Sequence, residues 1–174
     1  LETLATSTDA VVISIGIASF SSCDQQSPIQ SYQYNLSVTE QVFAGRVISP
    51  DTLNWWKGNS AAVQELAYFD PLPAAAAVVS TFELVKEEFN KGNQIKVWGN
   101  SPSFDLRILE SLALDFGVQV PWTFRDEADV RTVSALLGKK FQVEAGFAHS
   151  ARHDAVAEAL LIQEALRKTF GERN

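Results

Sequence analysis

A histidine and an aspartate near the C-terminal end of the chain are the side chains best suited to chemistry. His149 and Asp154 have four residues between them, and apolar residues recur at helical spacing from Ala155 onward. This spacing predicts that Asp154 lies in the first turn of an amphipathic helix and His149 on the loop leading into it. The two side chains can then face one cleft. A solvated loop histidine and an aspartate that only complements the helix dipole would give the same pattern, so the pair needs support from elsewhere.

Two further acidic residues lie at the edges of predicted elements. Glu2 precedes a strand-like run, and Asp105 follows the segment Trp98-Gly99-Asn100-Ser101-Pro102 at a strand-to-helix junction. Carboxylates from separate segments, each at the end of a regular element, are what a two-metal phosphodiester site requires. Mg²⁺ prefers such hard oxygen ligands. The single cysteine, Cys23, excludes an intramolecular disulfide and a thiolate zinc site.

Together these residues resemble the motifs of the DEDD superfamily of 3′-to-5′ exonucleases. The order is Glu2-Thr3, then Asn-x-x-x-Phe-Asp ending at Asp105, then His149-x4-Asp154. The histidine places the resemblance in the DEDDh branch, whose third motif supplies one. The resemblance covers nearly the whole chain. It implies a metal-dependent enzyme that hydrolyses phosphodiester bonds at single-stranded 3′ ends and releases nucleoside 5′-monophosphates.

Three other segments are similar to a narrower group of small bacterial and phage proteins, called exodeoxyribonuclease VIII-like or phage exonuclease A-like. They are Trp55-Trp56, Trp98-Gly99-Asn100 and Asp129-Val130-Arg131-Thr132. This likeness slightly favours DNA as the substrate. The related ribonuclease T and oligoribonuclease branches act on RNA, and the choice depends on room for the 2′-hydroxyl, which the sequence does not reveal.

The resemblance also implies roles for the motif residues. Glu2, Asp105 and Asp154 become ligands of two Mg²⁺ ions, for which Mn²⁺ can substitute, and His149 becomes the general base. An imidazole suits that role because it titrates near neutral pH and accepts a proton from water. His153 is a rival because it adjoins Asp154, but the family motif places the base five positions before the aspartate.

The first motif of the family is Asp-x-Glu, and its aspartate would come immediately before Leu1. The chain contains no Met, and an initiator Met is not normally removed ahead of a residue as large as Leu. A short stretch that ends in this aspartate and completes the first strand is therefore expected to precede Leu1. If that residue were not acidic, a catalytically inactive module that keeps the fold and binds nucleic acid would be favoured.

Five further residues are predicted to contact the substrate: Thr3, Leu4, Trp56, Asn100 and Phe104. Trp55 and Trp56 are adjacent on a predicted helix and point about 100° apart, so both cannot enter the same core. One indole is expected to stack on a base, although both could instead cover the edge of the sheet. Phe104 fits the hydrophobic core better than a stacking role.

Composition limits the class of protein. The chain has 174 residues, of which 46% are hydrophobic, so one well-packed domain spanning 1–174 is expected. No apolar run approaches membrane-spanning length, and the lone cysteine suits a reducing cytoplasm. A net charge of −7 is unusual for a nucleic-acid binder, but bound cations invert the local potential that a phosphate meets. The expected partner is a single-stranded 3′ end, and the resemblance raises a homodimer as an option.

The predicted elements follow the order β-β-β-α-β-α-β-α. Residues 11–20 and 32–38 alternate as strands, helices begin at Ser49-Pro50 and after Pro73, and short strands are predicted at 95–98 and 121–124. Helices carrying Asp105 and following Asp129 complete the order before the His149 loop. This is the order of the ribonuclease H-like fold, an α/β fold with a mixed five-stranded sheet and helices on both faces.

Overall fold

The computed structural model describes residues 1–21, 27–59, 63, 66, 70–143 and 149–170. The strands are β1 (Glu2–Thr3), β2 (Val12–Ser19), β3 (Gln30–Asn35), β4 (Val97–Gly99) and β5 (Glu127–Asp129). The helices are α1 (Val38–Phe43), α2 (Pro50–Lys57), α3 (Ala74–Asn90), α4 (Asp105–Asp115), α5 (Val130–Leu137) and α6 (Ala151–Phe170). None of the described helices is both long and apolar enough to cross a membrane.

The described strands form two sheets. Strands β1, β2 and β3 make an antiparallel sheet with β2 in the centre, and β4 pairs in parallel with β5. The predicted α/β class is confirmed. The predicted single five-stranded sheet is not observed among these residues, because the three-residue strands β4 and β5 form their ladder with each other.

Helix ends follow the signals in the sequence. Ser49 caps α2 by accepting a hydrogen bond from the Thr52 amide, and Pro50 occupies the first position. Asp129 caps α5 in the same way through the Arg131 amide. Gly138 ends α5 with φ 63°, a left-handed conformation that glycine adopts without steric cost. These boundaries confirm the predicted ones.

Two predicted strand segments were wrong. Val38 begins helix α1 and does not continue a strand, and the buried amide of Gln41 on that helix hydrogen-bonds both the N–H and the C=O of Val12. Residues 121–124 form no strand. The apolar signal there comes from Trp122, which is buried against Phe82 with ring centroids 5.0 Å apart. A loop whose apolar residues pack in the core gives the same sequence pattern as a short buried strand.

Close packing at one glycine fixes the start of α6 on the central strand. A Cβ atom on Gly16 of β2 would lie 1.9 Å from the Ala151 carbonyl oxygen, so no other residue allows this approach. Helix α6 packs along β2 and also contacts β3. The start of α6, two residues after His149, is thereby held against the sheet.

Candidate metal and catalytic site

Three of the predicted site residues converge at the start of α6. Glu2, His149 and Asp154 each offer a ligand atom, and these atoms all lie within 4.8 Å of one another. Glu2 is on β1, which pairs with β2, and Asp154 is in the first turn of α6, which packs on β2. The central strand therefore brings together residues from opposite ends of the chain.

Asp105 lies beside this group. It begins α4, and its Oδ1 atom is 3.1 Å from the backbone nitrogen of Leu1, the residue that precedes Glu2. Its Oδ2 atom accepts a hydrogen bond from the Ser101 amide at 3.3 Å. The turn after β4 is tight, since a Cβ on Gly99 would be only 3.3 Å from the Asp105 Cβ. The Asp105 side chain therefore lies directly against the end of β4.

Glu158 is a further acidic residue at the site, and the sequence reasoning missed it. It follows Asp154 by four residues on α6, which places the two side chains on the same helix face. Burial, and then the charges of Asp105 and Asp154, raise the pKa of Glu158 to about 7. Burial also raises the pKa of Asp154, against the opposing influence of His149. The i, i+4 spacing was the signal in the sequence that could have identified Glu158.

In the absence of divalent cations, the free energy of unfolding is expected to fall as pH rises from about 4.5 to about 7. Glu158 holds its proton in the folded protein over this range but loses it in the unfolded chain, so the folded state binds more protons. The contribution is complete below pH 4.5 and is lost as pH passes 7. Its size is at most about 3 kcal/mol, and less after solvent screening.

Urea unfolding with chelator at pH 4.5 and 7.5 measures this effect. Glu158→Gln should reduce the difference between the two pH values. Glu164→Gln is the matched control on the same helix, because hydrogen bonds from Lys139 and Lys168 lower the pKa of Glu164 to about 2, outside the range tested. An unchanged pH difference in Glu158→Gln would contradict the prediction.

His149 has an unusual backbone. Its φ is 66°, and among the described residues it is the one residue other than glycine with positive φ. The backbone N–H of His149 donates a hydrogen bond to the carboxylate of Asp154. The indole of Trp55 contacts its ring edge to face, with centroids 4.6 Å apart and an interplanar angle of 84°. Both the backbone and the ring of His149 are therefore held in place.

His153, the rival candidate, has a different environment. Its Nδ1 atom lies 2.8 Å from the hydroxyl oxygen of Ser150, a buried residue at the start of α6. This contact ties His153 to the local structure of the helix start. His149, by contrast, belongs to the group formed with Glu2 and Asp154.

The structure corrects the choice between the two tryptophans. Trp56, which the sequence analysis assigned to substrate, is buried, and its Nε1–H donates to the Thr3 carbonyl at 2.9 Å. Trp55 is 44% exposed and is the indole that lies beside His149. A buried indole N–H needs an acceptor, and the Thr3 carbonyl supplies one to Trp56.

Of the other four predicted substrate contacts, two are buried and two are partly buried. The Thr3 hydroxyl donates to the Ala5 carbonyl at 2.6 Å, and the Leu4 side chain packs in the core with Trp56. Phe104 is partly buried against the main core, and Asn100 is half-buried just after β4. The side chains of Thr3 and Leu4 are therefore committed to packing and internal hydrogen bonds.

The donor set fits a hard divalent cation. Carboxylates and one imidazole converge, and Mg²⁺ and Mn²⁺ favour such oxygen-rich sites. Ser14 lies opposite Glu2 in the β1–β2 register, and its buried hydroxyl oxygen has no hydrogen-bond partner within the described part of the chain. Negative charge and an unsatisfied oxygen beside Glu2 are both features that a bound, hydrated cation would compensate.

Comparison with known protein families agrees with this geometry. Residues 1–166 match the model of the 3′-5′ exoribonuclease Rv2179c-like domain. The match supports a 3′-to-5′ exonuclease family, but not the narrower exodeoxyribonuclease VIII-like group that the sequence motifs suggested. Comparison with curated proteins and with solved structures gave no match. The chain belongs to the 3′-5′ exoribonuclease Rv2179c-like domain family.

Proposed function

We propose that this protein hydrolyses phosphodiester bonds at the 3′ end of single-stranded RNA and releases nucleoside 5′-monophosphates. The observation that carries the proposal is the convergence of Glu2, His149 and Asp154 within 4.8 Å, with Asp105 adjacent. Because the family is one of exoribonucleases, RNA replaces DNA as the favoured substrate. A DNA 3′ end is the second candidate, supported by the resemblance of the tryptophan pair and Trp98-Gly99-Asn100 to exodeoxyribonucleases.

Each site residue has a definite part in this proposal. Glu2, Asp105 and Asp154 would hold two Mg²⁺ ions, or Mn²⁺ in their place, which supply Lewis-acid polarisation and lower the pKa of bound water. His149 accepts the proton of the attacking water. Asp154 also accepts the backbone N–H of His149, so one carboxylate serves the cation site and the orientation of the base.

We also propose that the two sheets belong to one ribonuclease H-like arrangement. In a single mixed sheet, β4 would lie next to β1. Asp105 follows β4 and Leu1 precedes β1, and the contact between the Asp105 carboxylate and the Leu1 nitrogen supports this arrangement. An aspartate immediately before Leu1 would add its side chain to the cluster formed by Glu2, Asp105 and Asp154. That aspartate, the cytoplasmic location and the homodimer stay predictions.

The proposed activity is tested with 5′-labelled RNA and DNA oligomers of identical sequence. We expect the labelled RNA in Mg²⁺ to shorten stepwise from its 3′ end. Unlabelled mononucleotides, followed by chromatography, should appear at the earliest times if the site accepts one terminal nucleotide at a time. A circular single-stranded RNA should stay intact, and excess EDTA should stop the reaction.

Each other outcome has a distinct meaning. Cleavage of the circle would identify an endonuclease, and undiminished digestion in EDTA would exclude the metal-dependent mechanism. Faster loss of DNA than RNA would favour the second candidate. Binding of RNA without hydrolysis, in a chain whose residue before Leu1 is acidic, would leave only the inactive binding module.

A further inference from the structure

The contact between Trp55 and His149 links the candidate base to a helix that contributes none of the predicted catalytic residues. Trp55 is near the C-terminal end of α2, and its ring lies 4.6 Å from that of His149, centroid to centroid. This separation is within the range of favourable aromatic pairs, which prefer perpendicular over face-to-face geometry.

Trp55 is itself held in place by contacts that lead back to β1. Its ring packs at 85° against that of Trp56, with centroids 5.2 Å apart. Trp56 in turn donates to the Thr3 carbonyl, and the Ser49 amide at the start of α2 donates to the Leu4 carbonyl at 2.8 Å. Helix α2 is thus attached at both ends to the segment that follows Glu2.

His149 needs such support because, in the part of the chain that the structure describes, it lies outside every helix and strand. It lies on a loop with left-handed φ, a conformation that persists in a non-glycine residue only where neighbours enforce it. The hydrogen bond to Asp154 fixes the backbone but leaves rotation about the side-chain bonds. A general base must point at its water, and small errors in orientation reduce turnover strongly.

We propose that Trp55 is a positioning residue that orients the imidazole of His149 toward the attacking water. This inference rests on the proposed function, in which His149 is the base. Trp55 packs on Trp56, which is hydrogen-bonded to Thr3, and so Trp55 couples the orientation of His149 to the strand that carries Glu2. The rival role for an exposed indole, stacking on a nucleobase, is an outcome that the test separates.

Ligand-free NMR tests the contact without any activity. The chain contains two histidines, so the imidazole C–H signals are two sets, and His153→Gln assigns them. The ring current of Trp55 should displace the His149 signals, and Trp55→Leu should remove that displacement while the His153 signals stay unchanged. Unchanged His149 signals in Trp55→Leu would overturn the proposal even if the protein proves to be an exonuclease.

Kinetics with a single-stranded RNA oligomer then tests the role. Trp55→Leu should lower kcat by on the order of tenfold to a hundredfold, with little change in KM, because orientation and not binding is lost. Trp55→Phe should recover most of the rate, since it restores an aromatic ring at the same place. Leu53→Ala, at an exposed position on the same helix, is the matched control and should keep the wild-type rate.

A double variant gives the sharpest distinction. Once His149→Asn has removed the imidazole, adding Trp55→Leu should lower kcat no further, because the two residues act through one group. A full additional loss in the double variant would overturn the proposal. A rise in KM with kcat unchanged in Trp55→Leu would overturn it in favour of nucleobase stacking.

Discussion

Asp154→Asn and Asp105→Asn are each expected to lower turnover by on the order of a thousandfold or more. An amide carries no charge to hold a hard cation, and metal ions supply several kcal/mol of transition-state stabilisation, each 1.4 kcal/mol of which is about tenfold in rate. Turnover of a single-stranded RNA oligomer in saturating Mg²⁺ measures the loss, and Mn²⁺ binding followed by electron paramagnetic resonance measures the cation site directly.

Asp51→Asn is the matched control for these variants. Asp51, Asp105 and Asp154 all lie in the first turn of a helix, so all three complement a helix dipole, but Asp51 is exposed. The control therefore separates loss of the cation site from loss of a favourable first-turn charge. An equal loss of activity in Asp51→Asn, or full activity in Asp154→Asn, would contradict the assignment of the ligands.

Replacing His149 is expected to lower turnover by on the order of 10² to 10⁴, the usual scale for removing a general base. The left-handed backbone decides which replacement is informative. Alanine would add backbone strain at φ 66°, whereas asparagine and glycine adopt this region more readily. His149→Asn and His149→Gly should therefore lose kcat while Mn²⁺ and RNA binding persist, because the carboxylates remain.

His153→Gln provides the comparison. His153 contacts the Ser150 hydroxyl at the helix start, so its loss should cost less than about tenfold. Measuring kcat for these variants with one RNA oligomer decides between the two histidines. A larger loss for His153→Gln than for His149→Asn would place the base on His153.

The helix boundaries show what can be predicted locally. Ser49, Asp129 and Gly138 act on backbone groups within one turn, so their chemistry fixes a helix end whatever the rest of the chain does. Two strand segments were predicted wrongly. Val38 lies in a helix, and Trp122 packs in the core from a loop. Apolar residues indicate burial, but they do not indicate which kind of element is buried.

The sequence by itself indicated a 3′-to-5′ exonuclease but not the narrower family, and it nominated Glu2, His149 and Asp154 as candidate site residues. Motif order indicated a 3′-to-5′ exonuclease, and the structure brings Glu2, His149 and Asp154 together as that order requires. The motifs carry this information because the chemistry restricts which residue types can serve at each position. They did not reveal Glu158, whose importance depends on the charges of Asp105 and Asp154 around it.

Only the tertiary structure decided how the tryptophan pair is used. Adjacent helical residues point in different directions, but nothing local says which of the two faces the core. The decision depends on the carbonyl of Thr3, far away in sequence, which accepts the indole N–H of Trp56 and leaves Trp55 beside His149. The contact of His149 with Trp55 likewise joins residues far apart in sequence, and Asp154 is held by α6, which packs on β2 at Gly16.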